Sequence, residues 1–306
     1  MTRRGSTALR HALLTWYRRG HRDFPWRRTR DPYAILVSEV MLQQTQADRV
    51  VPKYREFLQR FPDFRSLAQA SAGDVIRAWS PLGYNMRAVR LHRLARQVME
   101  RFDGSLPHDA ESLRGLDGVG EYTASAVACF AFGQEVAVID TNVRRVVRRL
   151  FWEMSEPSQA ELARRASELV PAQEAYDWNQ ALMELGATVC LARRPACGVC
   201  PLRARCRTGR RAVNGAPHIA EAKAAYRTER FEGSRRYYRG RIVDLLRALE
   251  DGEMLAISKL GCALKPGFGV DDLPWLQALV ADLARDELVR VDANDTRSSD
   301  TLVALP

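Results

Sequence analysis

Four cysteines lie within 17 residues of one another, at Cys190, Cys197, Cys200 and Cys206. Their spacing, C-x6-C-x2-C-x5-C, brings four thiolates close enough to bind one metal centre. Structural zinc sites usually pair two C-x2-C motifs across a longer loop, whereas this segment has one such pair with unequal outer arms. The spacing therefore favours a [4Fe–4S] cluster; a zinc ion and four unliganded thiols are the alternatives.

The chain is basic, with a formal net charge of +10 over 306 residues. This balance favours a polyanionic partner, with nucleic acid ahead of a membrane surface. The sequence contains no run of the roughly 18 apolar residues that a membrane-spanning helix requires. Its N-terminus also lacks the apolar stretch of a signal peptide. We therefore expect a cytoplasmic, nucleoid-associated protein with no membrane partner, whose cysteines are reduced.

Apolar residues recur at helical spacing through most of the first 210 residues, and glycine and proline separate many short helical stretches. Strand patterns are nearly absent there, and "EVAVID" at 135–140 is the one run that could be extended. The last 70 residues differ, because three helical patterns precede two alternating segments around a polar turn. The sequence thus predicts an all-α fold followed by a small winged-helix-like α+β module.

The stretch "AILVSEVMLQQTQ" at 34–46 places a single acid, Glu39, among apolar residues. Desolvation in such a setting raises the pKa of a carboxyl group. A second acid, Asp140 in "VIDTNV", follows an apolar run and precedes a helix, whose N–H groups favour its charged form. Each acid also has a structural interpretation: Glu39 as a salt-bridged core residue and Asp140 as a helix N-cap.

Residues 109–132 predict two helices joined by a tight glycine turn. The glycines let the backbone approach another molecule, and the second helix begins with free N–H groups. Gly118, Val119 and Gly120 would then bind a DNA phosphate without reading a base. An ordinary helix–turn–helix corner would also use glycine, so the turn by itself is weak evidence.

Further motifs occur in a fixed order: "FPWR" (24–27), "VSEVMLQQTQ" (37–46), "LGYNMRA" (82–88), "LDGVGEYTA" (116–124), "VIDTNVRRV" (138–146) and "ALMELGATVC" (181–190). Together with the cysteine spacing, they resemble the helix-hairpin-helix DNA glycosylases that carry an iron–sulfur cluster. Among these, the chain resembles the MutY-type adenine DNA glycosylases over about residues 10–207. The resemblance implies that the cysteines hold a [4Fe–4S] cluster.

The resemblance also implies the catalytic residues. Glu39 falls on the acid that protonates a flipped adenine at N7, and Asp140 falls on the carboxylate that stabilises the developing sugar cation. Tyr122 and Asn142 fall on residues near that sugar. One protonated and one ionised carboxyl group are what hydrolysis of a glycosidic bond requires, and the settings of Glu39 and Asp140 are suited to that division.

Substrate-binding residues follow from the same resemblance. The base must leave the stack before its glycosidic bond can react. Trp26, Arg27 and Glu184 fall on the pocket that binds the adenine. Gln44 falls on the residue that fills the gap left in the base stack, with Leu42 beside it. Tyr84 falls on a residue that inserts next to the opposing guanine.

Lysine is absent from residues 54–222. Glycosylases with lyase activity use a lysine to form a Schiff base, and in the endonuclease III branch that lysine lies where this chain has Tyr122. We therefore expect no strong lyase activity. The chain also departs from the family pattern at Asp117, Thr141 and Asn85, where many relatives have proline, glycine and a second tyrosine.

The C-terminal 70 residues are too few for the Nudix-like domain with which the family usually ends. Their winged-helix-like order suggests contact with DNA through Arg235, Arg236, Arg239 and Arg241, or else a solvated helix face. The predicted domains are an iron–sulfur subdomain (1–30 and 134–209), a six-helix subdomain with the hairpin (31–133), a linker (210–236) and the C-terminal module (237–306).

The sequence therefore predicts a monofunctional DNA glycosylase of base excision repair. Its expected substrate is adenine mispaired with 8-oxoguanine or guanine in double-stranded DNA, and we expect it to act as a monomer. A thymine or uracil mismatch glycosylase on the same scaffold is one alternative. A non-catalytic iron–sulfur protein that binds damaged DNA is another.

Overall fold

The computed structural model describes residues 3–152, 155–211, 230–292 and 301–306, which belong to two compact units. The first unit draws on Met1–Glu39 and Leu106–Ala225, and the second on Val40–Ser105 and Tyr226–Pro306. The domain bounds that we derived from the sequence stay a prediction. Most of the expected linker and the turn of the C-terminal hairpin lie outside the described residues.

Helices dominate the described residues, and the all-α prediction with a small C-terminal α+β module is confirmed. The run at 135–140 is irregular rather than a strand. The helices are α1 (Arg3–Gly20), α2 (Pro32–Leu42), α3 (Ala47–Arg60), α4 (Phe64–Gln69), α5 (Ala72–Trp79), α6 (Met86–Phe102), α7 (Ala110–Arg114), α8 (Glu121–Phe130), α9 (Thr141–Phe151), α10 (Gln159–Leu169), α11 (Ala175–Thr188), α12 (Arg207–Arg211), α13 (Arg235–Arg247), α14 (Ile257–Leu264) and α15 (Leu273–Arg285). Short 3-10 turns occur at Pro25–Arg27, Cys197–Val199, Arg203–Arg205 and Val270–Asp272.

Local sequence signals explain where several helices begin. The Asp31 carboxylate accepts the Tyr33 N–H (3.1 Å) just before Pro32, the first residue of α2. Ser158 and Glu161 form a capping box at the start of α10. Such caps satisfy N–H groups that have no partner inside the helix, and they fix the residue at which each helix starts.

The first unit has a core built from α1, α9, α10 and α11. Leu13 of α1, Val147 of α9 and Leu182 of α11 are fully or almost fully buried in one apolar cluster with Trp178. This cluster holds α9 and α11 together. The start of α9 and the middle of α11 carry polar residues that belong to the candidate site.

The second unit joins α3–α6 to the C-terminal module. Its strands β1 (Leu255–Ala256), β2 (Arg290–Val291) and β3 (Leu302–Ala304) form an antiparallel sheet in the order β1–β3–β2. The sequence predicted the hairpin of β2 and β3 but not β1, which has only two residues. Helices α13, α14 and α15 pack on this sheet in the winged-helix order.

Two of the four arginines expected to contact DNA are paired within the module. Arg235 Nε donates to Asp282 Oδ2 at 2.9 Å, and Arg239 forms an ion pair with Asp286. These pairs neutralise much of the positive charge on one side of α13. Across the described ranges, we find no helix that is both long and apolar enough to cross a membrane.

Candidate active site

Glu39 lies on α2 with only 4% of its surface exposed. The Tyr122 hydroxyl, at the start of α8, donates a hydrogen bond to Glu39 Oε2 at 2.7 Å. Burial raises the pKa of Glu39 to about 7, and the nearby charge of Asp140 adds to the increase, while the Tyr122 hydrogen bond and Arg27 oppose it. Glu39 therefore holds its proton to near-neutral pH, as a general acid must.

Asp140 caps α9, as the sequence predicted. Its Oδ1 accepts the Val143 N–H at 2.6 Å, and its Oδ2 accepts from Asn142 Nδ2 at 2.8 Å. Burial raises the pKa of Asp140, and the hydrogen bonds from Val143 and Asn142 limit the increase by favouring the carboxylate. The two acids thus differ in their partners, because Asp140 is held by donors on both of its oxygens.

Asn142 is itself fixed from two sides. Its Oδ1 accepts from Arg145 Nη2 at 2.7 Å, and the same nitrogen donates to the Gly186 carbonyl at 2.7 Å. A Cβ added at Gly186 would lie 2.5 Å from the Cβ of Asn142, so only glycine fits at this approach of α11 to α9. The sequence did not single out Arg145 or Gly186, because neither stands out from its helical pattern.

Glu184 on α11 is almost fully buried and is held by two arginines. Arg22 Nε donates to its Oε1 (2.8 Å), and Arg27 Nη2 donates to its Oε2 (2.9 Å). Burial acts to raise the pKa of Glu184, but the hydrogen bonds from Arg22 and Arg27 outweigh it and leave the pKa below its usual range. Glu184 is therefore a charged residue that orients Arg27. Arg22 was not predicted, although it lies in the same arginine-rich loop as "FPWR".

Arg27 links this pair to the rest of the site. Its Nε donates to Gln180 Oε1 at 2.9 Å, and its charge acts on the Glu39 carboxyl group. Trp26, beside it in the 3-10 turn, is 6% exposed and stacks on Phe24 with 4.9 Å between ring centroids. The structure thus brings Glu39, Asp140, Tyr122 and Asn142 together with Arg27 and Glu184 in the first unit.

Three predicted substrate residues lie in the second unit. Leu42 ends α2, Gln44 is exposed in the turn after it, and Tyr84 is 48% exposed in the turn before α6. Gln44 and Tyr84 have φ values of +56° and +47°, which are uncommon for residues other than glycine. Such conformations persist only where surrounding contacts enforce them, and they are frequent in ligand-binding segments.

Arg87 supplies many of these contacts. This buried guanidinium donates from Nη1 to the Met41 carbonyl (2.8 Å) and from Nη2 to the Gly83 carbonyl (3.0 Å), and it lies over the rings of Trp79 and Tyr84. Burial lowers its pKa to about 10, so it remains a cation at neutral pH. Its further acceptors are the carbonyls of Val40, Gln43, Leu82 and Tyr84 and the hydroxyl of Thr45.

The predicted phosphate-binding turn connects α7 to α8. Gly118 has a φ of +73°, and Gly120 precedes α8 without a side-chain cap. Gly118 and Gly120 are exposed, whereas Val119 is buried and its N–H bonds to the Leu116 carbonyl at 3.2 Å. The Val119 N–H is therefore used within the turn, whereas Gly118, Gly120 and the first turn of α8 offer N–H groups for a ligand.

The four clustered cysteines line one cavity, together with the buried Arg149. Burial raises the pKa of Cys200 to about 12 and also raises those of Cys197 and Cys206, so these thiols need a bound cationic centre to become thiolates. Arg149 Nη1 lies 3.4 Å from Cys190 Sγ, and the Gly209 N–H donates to Cys206 Sγ at 3.3 Å. Within the described part of the chain, no three cysteine, histidine or acidic side chains converge as ligands of a single metal ion.

These residues fit a [4Fe–4S] cluster better than a zinc ion, because the four cysteines line one cavity. Arg149 and the Gly209 N–H would also offset the negative charge of the bound thiolates. Residues 190–206 match the iron–sulfur binding domain of endonuclease III, which confirms the [4Fe–4S] prediction. Residues 37–172 match the HhH-GPD superfamily base excision DNA repair protein family. The fold, the acid pair and the cluster loop define a base excision repair DNA glycosylase of this superfamily.

Comparison of this chain with full-length relatives identifies the family within the superfamily. The adenine DNA glycosylase of Mycobacterium tuberculosis is 41% identical over 96% of this chain and 92% of its own length. That of Mycolicibacterium smegmatis is 45% identical, covering 77% of this chain and 79% of its own. The chain belongs to the adenine DNA glycosylase family. The structure of a thermostable thymine-DNA glycosylase aligns with a TM-score of 0.64 at 33% identity, over 68% of this chain and 97% of that one.

Proposed function

We propose that this protein hydrolyses the N-glycosidic bond of adenine mispaired with 8-oxoguanine or guanine in double-stranded DNA. The observation that carries the proposal is Glu39, a buried acid whose pKa is raised to about 7, with Asp140 close enough to contribute to that increase. An acid that keeps its proton beside a hydrogen-bonded carboxylate suits departure of a base from a sugar. The relatives named above support adenine as that base.

In the proposed mechanism, Glu39 donates its proton to N7 of the flipped adenine. The protonated base leaves with the bonding electrons, and Asp140 stabilises the positive charge that develops on the sugar. Tyr122 orients the Glu39 carboxyl group, and Asn142 holds the Asp140 carboxylate toward the sugar. Water then adds to the anomeric carbon and gives up a proton to the Glu39 carboxylate, so that the products are free adenine and an abasic site and the acid is restored.

The remaining predicted residues open and hold the DNA. Gln44 and Leu42 fill the gap that the flipped adenine leaves, and Tyr84 enters beside the opposing base. Trp26, with Arg27 oriented by Glu184, lines the pocket for the base. Base–aromatic contacts of this kind contribute roughly 1–3 kcal/mol each. The Gly118–Gly120 turn binds a phosphate. Cys190, Cys197, Cys200 and Cys206 would hold the [4Fe–4S] cluster, whose bonds to sulfur would cross-link the 190–206 loop.

We propose a monofunctional enzyme, because residues 54–222 contain no lysine that could form a Schiff base with the sugar. Borohydride treatment of the protein during turnover should trap no covalent DNA adduct. A trapped adduct in good yield would contradict this part of the proposal. We further propose a monomer that acts in the cytoplasm at the nucleoid, which gel filtration and fluorescence microscopy of a tagged chain test.

The decisive experiment is a single-turnover assay on duplexes with A:8-oxoG, A:G, T:G and U:G pairs. We expect cleavage at adenine in the first two and none in the others. The likeness to a thymine-DNA glycosylase favours a thymine or uracil mismatch glycosylase as the second candidate, which cleavage of T:G or U:G would establish. Glu39→Gln serves as the inactive control. Tight mismatch binding without cleavage of any duplex would instead indicate a non-catalytic damage-binding protein.

A further inference from the structure

The C-terminal module is anchored on the helices before and after the Tyr84 turn. Its apolar core, which includes Leu246, Leu260 and Leu279, also contains Ile76 of α5 and Val89 of α6. Because the module shares one apolar core with α5 and α6, it is an integral part of the second unit. The positions of its polar side chains relative to α5 and α6 are therefore defined.

The chain end adds a second anchor. The Gly73 N–H at the start of α5 donates to the Pro306 carbonyl at 2.9 Å. A Cβ at Gly73 would lie 2.7 Å from that oxygen, so the contact depends on glycine. Arg93 of α6 also donates to Glu287 Oε2 at 2.9 Å, which fixes the module at a point beyond the turn.

Arg247, at the end of α13, reaches from the module to the Tyr84 turn. Its side chain is 10% exposed; Nη2 donates to Asn85 Oδ1 at 2.7 Å and Nε donates to the Ile76 carbonyl at 3.2 Å. Asp244 Oδ1 accepts from Nη1 at 2.8 Å, so the guanidinium has a partner on every nitrogen. The direction of this guanidinium is consequently fixed.

Asn85 is the N-cap residue of α6, yet its side chain makes no capping bond to that helix. Asparagine at such a position usually accepts an N–H from its own helix, a contact that contributes about 1 kcal/mol. Here the amide oxygen accepts from Arg247 instead. The residue immediately before Asn85 is Tyr84, with its positive φ and its half-exposed ring.

We propose that Arg247 is a positioning residue that holds the Tyr84 turn through Asn85, so that the C-terminal module contributes to recognition of the base opposite the excised one. This inference rests on the proposed function, because insertion of Tyr84 beside the opposing base is part of that function. Arg247 does not touch DNA in this proposal. Its effect passes through the Asn85 amide to the backbone that presents Tyr84.

The first test measures the turn without DNA. In the cluster-loaded protein, hydrogen–deuterium exchange should quicken about tenfold for the amides of Arg87, Ala88 and Val89 in Arg247→Met, since the charge-assisted hydrogen bond to Asn85 is lost. Arg235→Met is the matched control, because Arg235 lies on the same helix and pairs with Asp282, away from the turn. Equal exchange in wild type and Arg247→Met would overturn the proposal.

The second test measures recognition in a Glu39→Gln background, in which DNA binds without being cleaved. Arg247→Met and Asn85→Ala should each weaken binding of an A:G duplex about tenfold, with less than twofold change for a fully paired duplex. The double variant should be no weaker than either single variant, because both remove the same contact. Additive losses, or equal losses on both duplexes, would contradict a positioning role.

These measurements separate the two proposals. If adenine recognition itself is wrong, the Glu39→Gln parent shows no preference for A:G over the paired duplex. The exchange experiment then still reports whether Arg247 holds the turn. If the parent binds A:G more tightly than the paired duplex and Arg247→Met keeps the full difference in affinity, the proposed function is supported and the proposed role of Arg247 is refuted.

Discussion

Replacing Glu39 with glutamine should stabilise the protein while it abolishes excision. A carboxyl group with an ordinary pKa of 4.5 when unfolded and about 7 when folded binds its proton more tightly in the native state. The contribution of Glu39 to stability is therefore greatest below pH 4.5 and is lost as the pH rises through 7. At 1.36 kcal/mol per pKa unit, the loss is about 1 kcal/mol at pH 5 and about 3 kcal/mol at pH 8.5.

Glutamine has nearly the same volume, stays neutral at every pH and can still accept the Tyr122 hydrogen bond. The measurement is urea unfolding of the cluster-loaded wild type and Glu39→Gln at pH 5 and pH 8.5, followed by circular dichroism. The glutamine amide can change the free energy of unfolding by itself, but that contribution is the same at both pH values. It therefore cancels when the difference between variant and wild type at pH 5 is subtracted from that at pH 8.5. We expect the advantage of the variant to grow by about 2.5 kcal/mol between them.

Glu100→Gln is the control, because Glu100 is exposed on α6, outside the first unit. It should show no advantage that grows with pH. If Glu39→Gln and wild type differ by the same free energy at both pH values, Glu39 does not hold its proton to near pH 7. The proposed general acid would then have to be another group.

Three further predictions follow from the site. The single-turnover excision rate should fall about tenfold for each pH unit above 7, because Glu39 loses its proton there. Tyr122→Phe removes a hydrogen bond that lowers the pKa of Glu39, so it should move this fall in rate to higher pH. A rate that does not change with pH in either protein would refute the assignment of Glu39 as the acid. Gly186→Ala should lower kcat at least tenfold with little change in DNA affinity, because its Cβ would displace Asn142; unchanged kcat would show that the helices adjust. Cys200→Ser should give a protein without absorbance near 400 nm and with a lower unfolding midpoint, and retention of the full absorbance would exclude Cys200 as a ligand.

The helices of this chain were predictable because local signals agree with the packing. At α2, for example, the Asp31 carboxylate caps the first turn and proline is the first helical residue, so the local sequence and the observed helix start agree. The irregular segment at 135–140 was ambiguous, because its valines suit a strand but have no partner strand among the described residues. Strand β1 has two residues, too few for any alternation to show.

The site was predictable in its residue types but not in its contacts. The apolar surroundings of Glu39 indicated a raised pKa, and the position of Asp140 indicated an N-cap. The Tyr122 hydrogen bond joins residues 83 positions apart, and Arg22 lies 162 positions from Glu184, so no local pattern records either pair. The pairing of Arg235 with Asp282 was hidden for the same reason.

Arg87 couples the turns that carry Gln44 and Tyr84, the residues proposed to enter DNA. One guanidinium holds carbonyls at the end of α2 and in the Tyr84 turn, so withdrawal of either turn leaves a buried cation short of partners. Each buried group left unsatisfied costs about 1–3 kcal/mol. In the proposed function, Gln44 fills the gap on one strand and Tyr84 enters beside the base on the other. Because Arg87 binds both turns, it would favour insertion of the two residues together over insertion of either one alone.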